Sequence, residues 1–150
     1  MSDAIFVAAP EGLKYDPDDV LEILSQIPGT ANLERGEGGE PGARFMEVDY
    51  TFGGDTAHSS LLWTCTTLSI HGAFNAALML ALEFNARYIR MRGTSLELHN
   101  ECYDYQQRLE ENMTLGALLD LIENDPYAGA PSAFKDSLKD DSPGTPPDST

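Results

Sequence analysis

One stretch limits the folds open to this chain more than any other. Residues 73 to 86, AFNAALMLALEFNA, are good helix formers and apolar nearly all the way round. A water-exposed protein can keep such a helix only by covering it on more than one side, so it must be the central core helix with another layer packed on it. The preceding segment supplies that layer. In FMEVDYTF, residues 45 to 52, Met46, Val48, Tyr50 and Phe52 face one way and Glu47, Asp49 and Thr51 the other, as in an antiparallel strand wet on one face. After the two-glycine turn GGDTA, the run SSLLWTCTTLSI places Leu62, Thr64, Thr66, Leu68 and Ile70 on one side and Leu61, Trp63, Cys65 and Thr67 on the other. Its β-branched content reads as one strand, the more central member of the hairpin.

Two further helices frame this centre. Asp16 caps a helix over about 17 to 27, with Pro17 at its first position, Asp18 and Asp19 at the positive end of the dipole, and Val20, Leu21, Leu24 and Ile27 at helical spacing. Thr114 caps another, carrying Leu115, Leu118, Leu119 and Ile122, that ends before Pro126. Ala4 to Ala9 is a short apolar run ended by Pro10, an edge strand or a pinned arm. Gly29 to Arg44 is rich in Gly and Glu and reads as a loop, with a weak strand at Ala31 to Glu34. After the core helix, Tyr88 to Met91 and Ser95 to Tyr105 read as two strands around Arg92-Gly93-Thr94, and extension of the helix through Arg90 is the rival reading. The expected order is α-β-β-β-α-β-β-α in a single α+β domain over residues 1–125, with an antiparallel sheet packed against helices. If Ala4 to Ala9 is a first strand, the alternative is a ferredoxin-like β-α-β-β-α-β with the last helix appended. Residues 126–150, rich in Pro, Ser and Asp, bury too little apolar area to offset ordering entropy and are expected to form a disordered tail.

Charge narrows the function. Twenty-five acidic residues against nine basic ones give a formal net charge of -16. Such a chain repels nucleic-acid backbones and anionic lipid head groups and attracts basic partners, so neither nucleic acid nor membrane is an expected ligand. The N-terminal apolar stretch lacks a basic flank, which argues against a secretory signal. Two cysteines, Cys65 and Cys102, without a CxxC pair indicate neither a disulfide framework nor a zinc site, and a reduced cytoplasm is the expected compartment.

No constellation for catalysis stands out. His58 and His71 lack a matching base, nucleophile or ligand set nearby, and His99, Glu101 and Cys102 do not converge on one metal if the segment is a strand. Gly36 to Gly42 is interleaved with Glu37 and Glu40, which disfavour a phosphate. No cofactor, metal or enzyme activity is therefore expected. Arg87, Arg90 and Arg92 form the one basic cluster. Pairing with Glu47 and Asp49 across a sheet is the expectation, and an anion site the alternative.

The element order, the long apolar middle helix and the stretch EFNARYIRMRGTSLELHNECYDYQQRLEENMTLGALLDLIEND resemble the class I type III secretion chaperone-like fold, including the bacterial YbjN-like family, over about residues 16 to 125. The resemblance implies a non-enzymatic homodimer that presents apolar surface to a client protein, without cofactor or catalytic residues. The expected function is thus a chaperone-like or adaptor module that binds another protein. The alternative is an acidic immunity protein or inhibitor that neutralises a basic toxin or nuclease. Candidate contacts are the aromatics Phe45, Trp63, Tyr103 and Tyr105, and for a basic partner the acidic patch Glu97, Glu101, Tyr103, Asp104, Glu110 and Glu111.

Overall fold

The computed structural model describes residues 4–10, 13–35, 44–62 and 65–128, though not the side chains of Arg44, Phe45 and Leu62. Along the chain come β1 (Ile5–Ala8), α1 (Pro17–Gln26), β2 (Thr30–Arg35), β3 (Arg44–Phe52), β4 (Asp55–Leu62), β5 (Thr67–Gly72), α2 (Phe74–Arg92), β6 (Glu97–Asn100), β7 (Gln106–Arg108) and α3 (Leu115–Asn124). The strands make one seven-stranded sheet in the order β2-β3-β4-β5-β1-β6-β7, with every neighbouring pair antiparallel. With its three helices this is an α+β fold, the class expected from the mixture of two-residue and helical periodicities.

Local chemistry sets the helix starts. The Asp16 carboxylate accepts the Asp18 N–H at 2.9 Å, and Pro17 begins α1. The Thr114 hydroxyl accepts the Ala117 N–H at 3.1 Å and begins α3. α2 has no side-chain cap at its start and ends on Gly93, whose φ of 74° is the left-handed conformation that closes a helix cheaply only in glycine.

The order differs from both expectations. It is the expected α-β-β-β-α-β-β-α with one strand added in front and one more before α2, and it is not ferredoxin-like. The apolar run Ile5–Ala8 is neither edge nor arm: it lies between β5 and β6, pairing Ile5 with both Ile70 and Asn100. Its alternating buried and half-buried residues fit an interior strand packed more heavily on one face. The run read as one long strand is two, β4 and β5, paired in register from Ala57↔Gly72 to Leu61↔Leu68. The reversal carries no glycine or proline to announce it. It is bounded by Cys65 in the left-handed region (φ 57°), whose carbonyl accepts the Tyr15 N–H at 2.7 Å.

The core helix runs through Arg92, so Tyr88 to Met91 is helix and not strand. Tyr88 keeps the buried face of α2 going one turn past Phe84, and this tertiary packing outweighs the β preference of tyrosine and isoleucine. The second expected strand, Ser95 to Tyr105, is cut to Glu97–Asn100 by a turn, and Gln106–Arg108 returns antiparallel to it.

All three helices cover one face of the sheet. That face carries Ile5, Val7, Met46, Val48, Tyr50, Leu61, Leu68, Ile70 and Leu98, and α2 lies across β3, β4, β5 and β1. Tyr15 ties the layers: its ring meets Phe84 and Tyr88 edge-on at 5.7 and 5.6 Å, and its hydroxyl donates to the Val7 carbonyl at 2.8 Å. Burial pushes the Tyr15 hydroxyl well above the ordinary phenol range, so this donor keeps its proton. On the opposite face the register sets Glu47, Ser60, Ser69, Phe6, His99 and Gln106 in one row across the strands.

Candidate functional site

The opposite face carries two clusters of side chains. On β3 and β4, His58 sits between two carboxylates, with Nδ1 2.8 Å from Asp49 Oδ1 and Nε2 3.0 Å from Glu47 Oε1. Asn32 donates to the second Asp49 oxygen at 2.9 Å. These hydrogen bonds hold the Asp49 carboxyl below the usual carboxylate range, with His58 the larger cause. Both imidazole nitrogens are occupied, so His58 presents neither to the neighbouring Ser60, whose hydroxyl meets that of Ser69 at 3.0 Å.

The second cluster lies at the other side of the sheet, where three rings stack in sequence. Phe6 of β1 lies 5.4 Å from His99 of β6, and His99 lies 4.2 Å from Tyr103 with the ring planes only 9° apart. The His99 Nδ1 donates to the Asn100 carbonyl at 2.9 Å, which assigns its proton to that nitrogen. Burial is the main cause that lowers the His99 pKa, against the Asn100 carbonyl and Glu97, which raise it. Burial thus favours the neutral form of the ring.

Tyr103 closes this stack from the turn between β6 and β7. Its φ of 55° is uncommon for a bulky residue and costs on the order of 1–3 kcal/mol, so the surroundings must impose it. Asn100 does most of this. Its carbonyl accepts the Tyr103 N–H at 3.2 Å, its side-chain oxygen accepts the Asp104 N–H at 2.8 Å, and its amide donates to the Asp104 carboxylate at 3.0 Å. The Tyr127 hydroxyl donates to the Tyr103 carbonyl at 3.1 Å. So fixed, Tyr103 is 44% exposed, one of a scattered handful of large exposed hydrophobic residues among the described ones.

The residues expected to form one contact surface are distributed over several places. Glu101, Tyr103 and Asp104 share the β6–β7 turn and are exposed. Glu97 lies on the side of the sheet that carries His99, held by Gln106 at 3.0 Å and Arg108 at 3.2 Å. Glu110 and Glu111 lie at the opposite end of that hairpin, where Glu111 pairs with Arg90 at 3.2 Å. Tyr105 points into the helix side and is buried, lining a cleft of about 330 Å³ with Ile5, Gly72, Phe74, Ala77, Asn100 and Asp104. Trp63 and the Phe45 side chain lie outside the described residues.

The three arginines are paired internally, but with other partners than expected. Being on a helix, they reach Glu83 from Arg87, Glu111 from Arg90 and Asp19 from Arg92. The acids expected to take them, Glu47 and Asp49, hold His58 instead.

Among the described residues no three or more metal-ligating side chains cluster, and no helix is long and apolar enough to cross a membrane. Cys65 is buried, which pushes its thiol up, and Cys102 is exposed. Sequence reasoning missed Phe6 and Asn100. The first was readable only once its run is an interior strand; the second has the Asn-to-Asp spacing of a side-chain-closed turn. No family model, no characterised protein and no solved structure matches this chain.

Proposed function

We propose that this chain is a non-enzymatic protein-binding module that engages a basic protein partner. The observation that carries the reading is Tyr103, half-exposed, stacked on His99 and held in a costly backbone conformation on a turn that also displays Glu101 and Asp104. Strained, over-determined residues concentrate where a surface is used, and exposed aromatics are the side chains that supply interface energy. The net charge of -16 would steer a basic partner toward this surface, as in an acidic inhibitor of a toxin or nuclease. The test is capture by the immobilised full chain from native extract, followed by association rates in low and high salt. A stoichiometric basic protein whose association slows with salt is expected; recovery of no stoichiometric protein would overturn the reading.

A chaperone-like homodimer is the second reading. It is favoured by the half-buried Met79, Met113, Leu115 and Leu119 on α2, α3 and the segment before α3. Light scattering separates the two: a salt-insensitive dimer supports the chaperone, and a monomer in both salts supports the acidic binder.

A further inference from the structure

The cleft beside α2 lies next to the point where the described residues end. Its walls are Ile5 of β1, Gly72 at the end of β5, Phe74 and Ala77 in the first turns of α2 and Tyr105 of the β6–β7 turn, and Asp104 is the one charged residue among its lining. Phe74 borders it with 44% exposure, an apolar ring left partly in water. The Asp104 carboxylate is fixed at this cleft because the Asn100 amide donates to one of its oxygens at 3.0 Å.

After α3 the chain returns to the same corner. The Gln106 N–H donates to the Pro126 carbonyl at 2.8 Å, and the Tyr127 hydroxyl donates to the Tyr103 carbonyl at 3.1 Å. These two anchors bracket Asp104 and Tyr105, so the described residues stop at Ala128 beside the cleft wall. From Ala128 the chain can carry Phe134 up to about 20 Å, enough to enter the cleft. Beyond Ala128 the sequence holds two large apolar side chains, Phe134 and Leu138, and two basic ones, Lys135 and Lys139. At helical spacing the apolar pair shares one face, the lysines flank it, and Asp136 and Asp140 fall on the far side. Apolar groups edged by positive charge are the complement of an apolar cleft edged by a carboxylate. A tethered segment also meets the cleft at an effective concentration on the order of millimolar, which favours it over a ligand free in solution.

We infer that residues 133–139 of this chain dock in the cleft, with Phe134 and Leu138 against Phe74 and Ala77 and the Lys135 ammonium at the Asp104 carboxylate. The cleft then carries its own occupant, which any other ligand has to displace. The inference stands independently of the basic partner proposed above.

The test compares amide NMR spectra of the full chain and of its Phe134→Ser, Leu138→Ser double variant, whose changes lie outside the described residues. The largest shift differences are expected at Gly72, Phe74, Ala77 and Tyr105, and they should be the same at every protein concentration. In the unaltered chain the backbone order parameters of residues 133–139 should exceed about 0.6 and those of 141–150 should fall below it. A synthetic peptide of residues 131–140 should shift the same cleft amides in the double variant. It should bind that variant about threefold or more tighter than the unaltered chain, where the tethered copy competes. No shift differences at the cleft, or differences centred instead on the surface around Met113 and Leu121, would overturn the inference. Differences that grow with concentration would overturn it by assigning the segment to a second copy of the chain, and so would a peptide that binds neither chain or both equally. The order parameters need no substitution, so uniformly low values from 129 to 150 would overturn it by themselves.

Discussion

The side-chain oxygen of Asn85, in the middle of α2, accepts the backbone N–H of Leu96 at 2.8 Å. Both residues are buried, so the Leu96 N–H at the entry to β6 takes its acceptor from a helix side chain, while the Leu96 carbonyl accepts the Leu109 N–H at 2.9 Å. Asn85→Leu keeps the branch at Cγ but leaves that N–H without an acceptor. It should cost about 1–3 kcal/mol. Urea unfolding with an unchanged m value is the check; a loss within error would mean that water reaches the group.

Gly72 and Gly116 should respond to alanine with opposite signs. At Gly72 φ is 130°, and a Cβ would stand 2.6 Å from the Thr56 carbonyl oxygen and 2.7 Å from the Ala57 Cα, both backbone atoms with no room to give. Gly72→Ala should therefore destabilise by several kcal/mol or abolish folding, on the order of 3 kcal/mol or more once strain and clash combine. Gly116 sits in α3 with nothing within 4 Å of the added carbon. Gly116→Ala should raise stability by about 0.4–1 kcal/mol. Thermal melts of the two variants side by side test the pair.

Ile5 is 1% exposed and stands between Ile70 and Asn100 in the sheet, whereas Leu13, a few residues on, is 59% exposed. Ile5→Ala should cost about 2–5 kcal/mol, and Leu13→Ala no more than about 0.5 kcal/mol. Similar small losses at both positions would show that the N-terminal strand is not an interior strand in solution.

His99 should make stability fall in mild acid. Its pKa is lowered in the folded protein, chiefly by burial, so the unfolded chain binds a proton that the folded one resists. The contribution is fully present above the unfolded value of about 6.5, declines as pH drops below it, and is lost by the time pH passes the folded value. His99→Phe removes the titrating group and keeps a ring between Phe6 and Tyr103. The drop in urea midpoint from pH 7 to pH 5 should be smaller in that variant; equal drops would place the acid sensitivity in the carboxylates.

How far the sequence could be read depended on whether local signals agreed with tertiary ones. Asp16-Pro17 and Thr114 announce their helices because capping is a local interaction, and both caps form. The alternation from Met46 to Phe52 announces β3 because only one face is buried there. The β4–β5 reversal left no such mark, because continuous β-forming residues run into it and a left-handed cysteine stands where a glycine would have signalled the turn. Tyr88 to Met91 reads as strand by composition and is helix by packing against Tyr15 and Phe84. For the site, the acids and Tyr103 were visible as residue types. Their division between the two ends of the β6–β7 hairpin, and the stacking of Phe6 beneath His99, depend on the register of strands far apart in the chain.

The position of β1 also bears on how the chain is made. Ile5–Ala8 is synthesised well before both of its partners, Thr67–Gly72 and Glu97–Asn100. At translation speeds of roughly 5–20 residues per second, both partners exist only after on the order of 5–20 s of further synthesis. Until β5 is made the nascent chain carries an apolar strand with neither edge paired, while the β3–β4 hairpin can already close across its two-glycine turn. The sheet therefore closes in stages, β5 covering one edge of β1 first and β6 the other only later, and Ile5–Ala8 is an apolar strand that waits unpaired through the first of these.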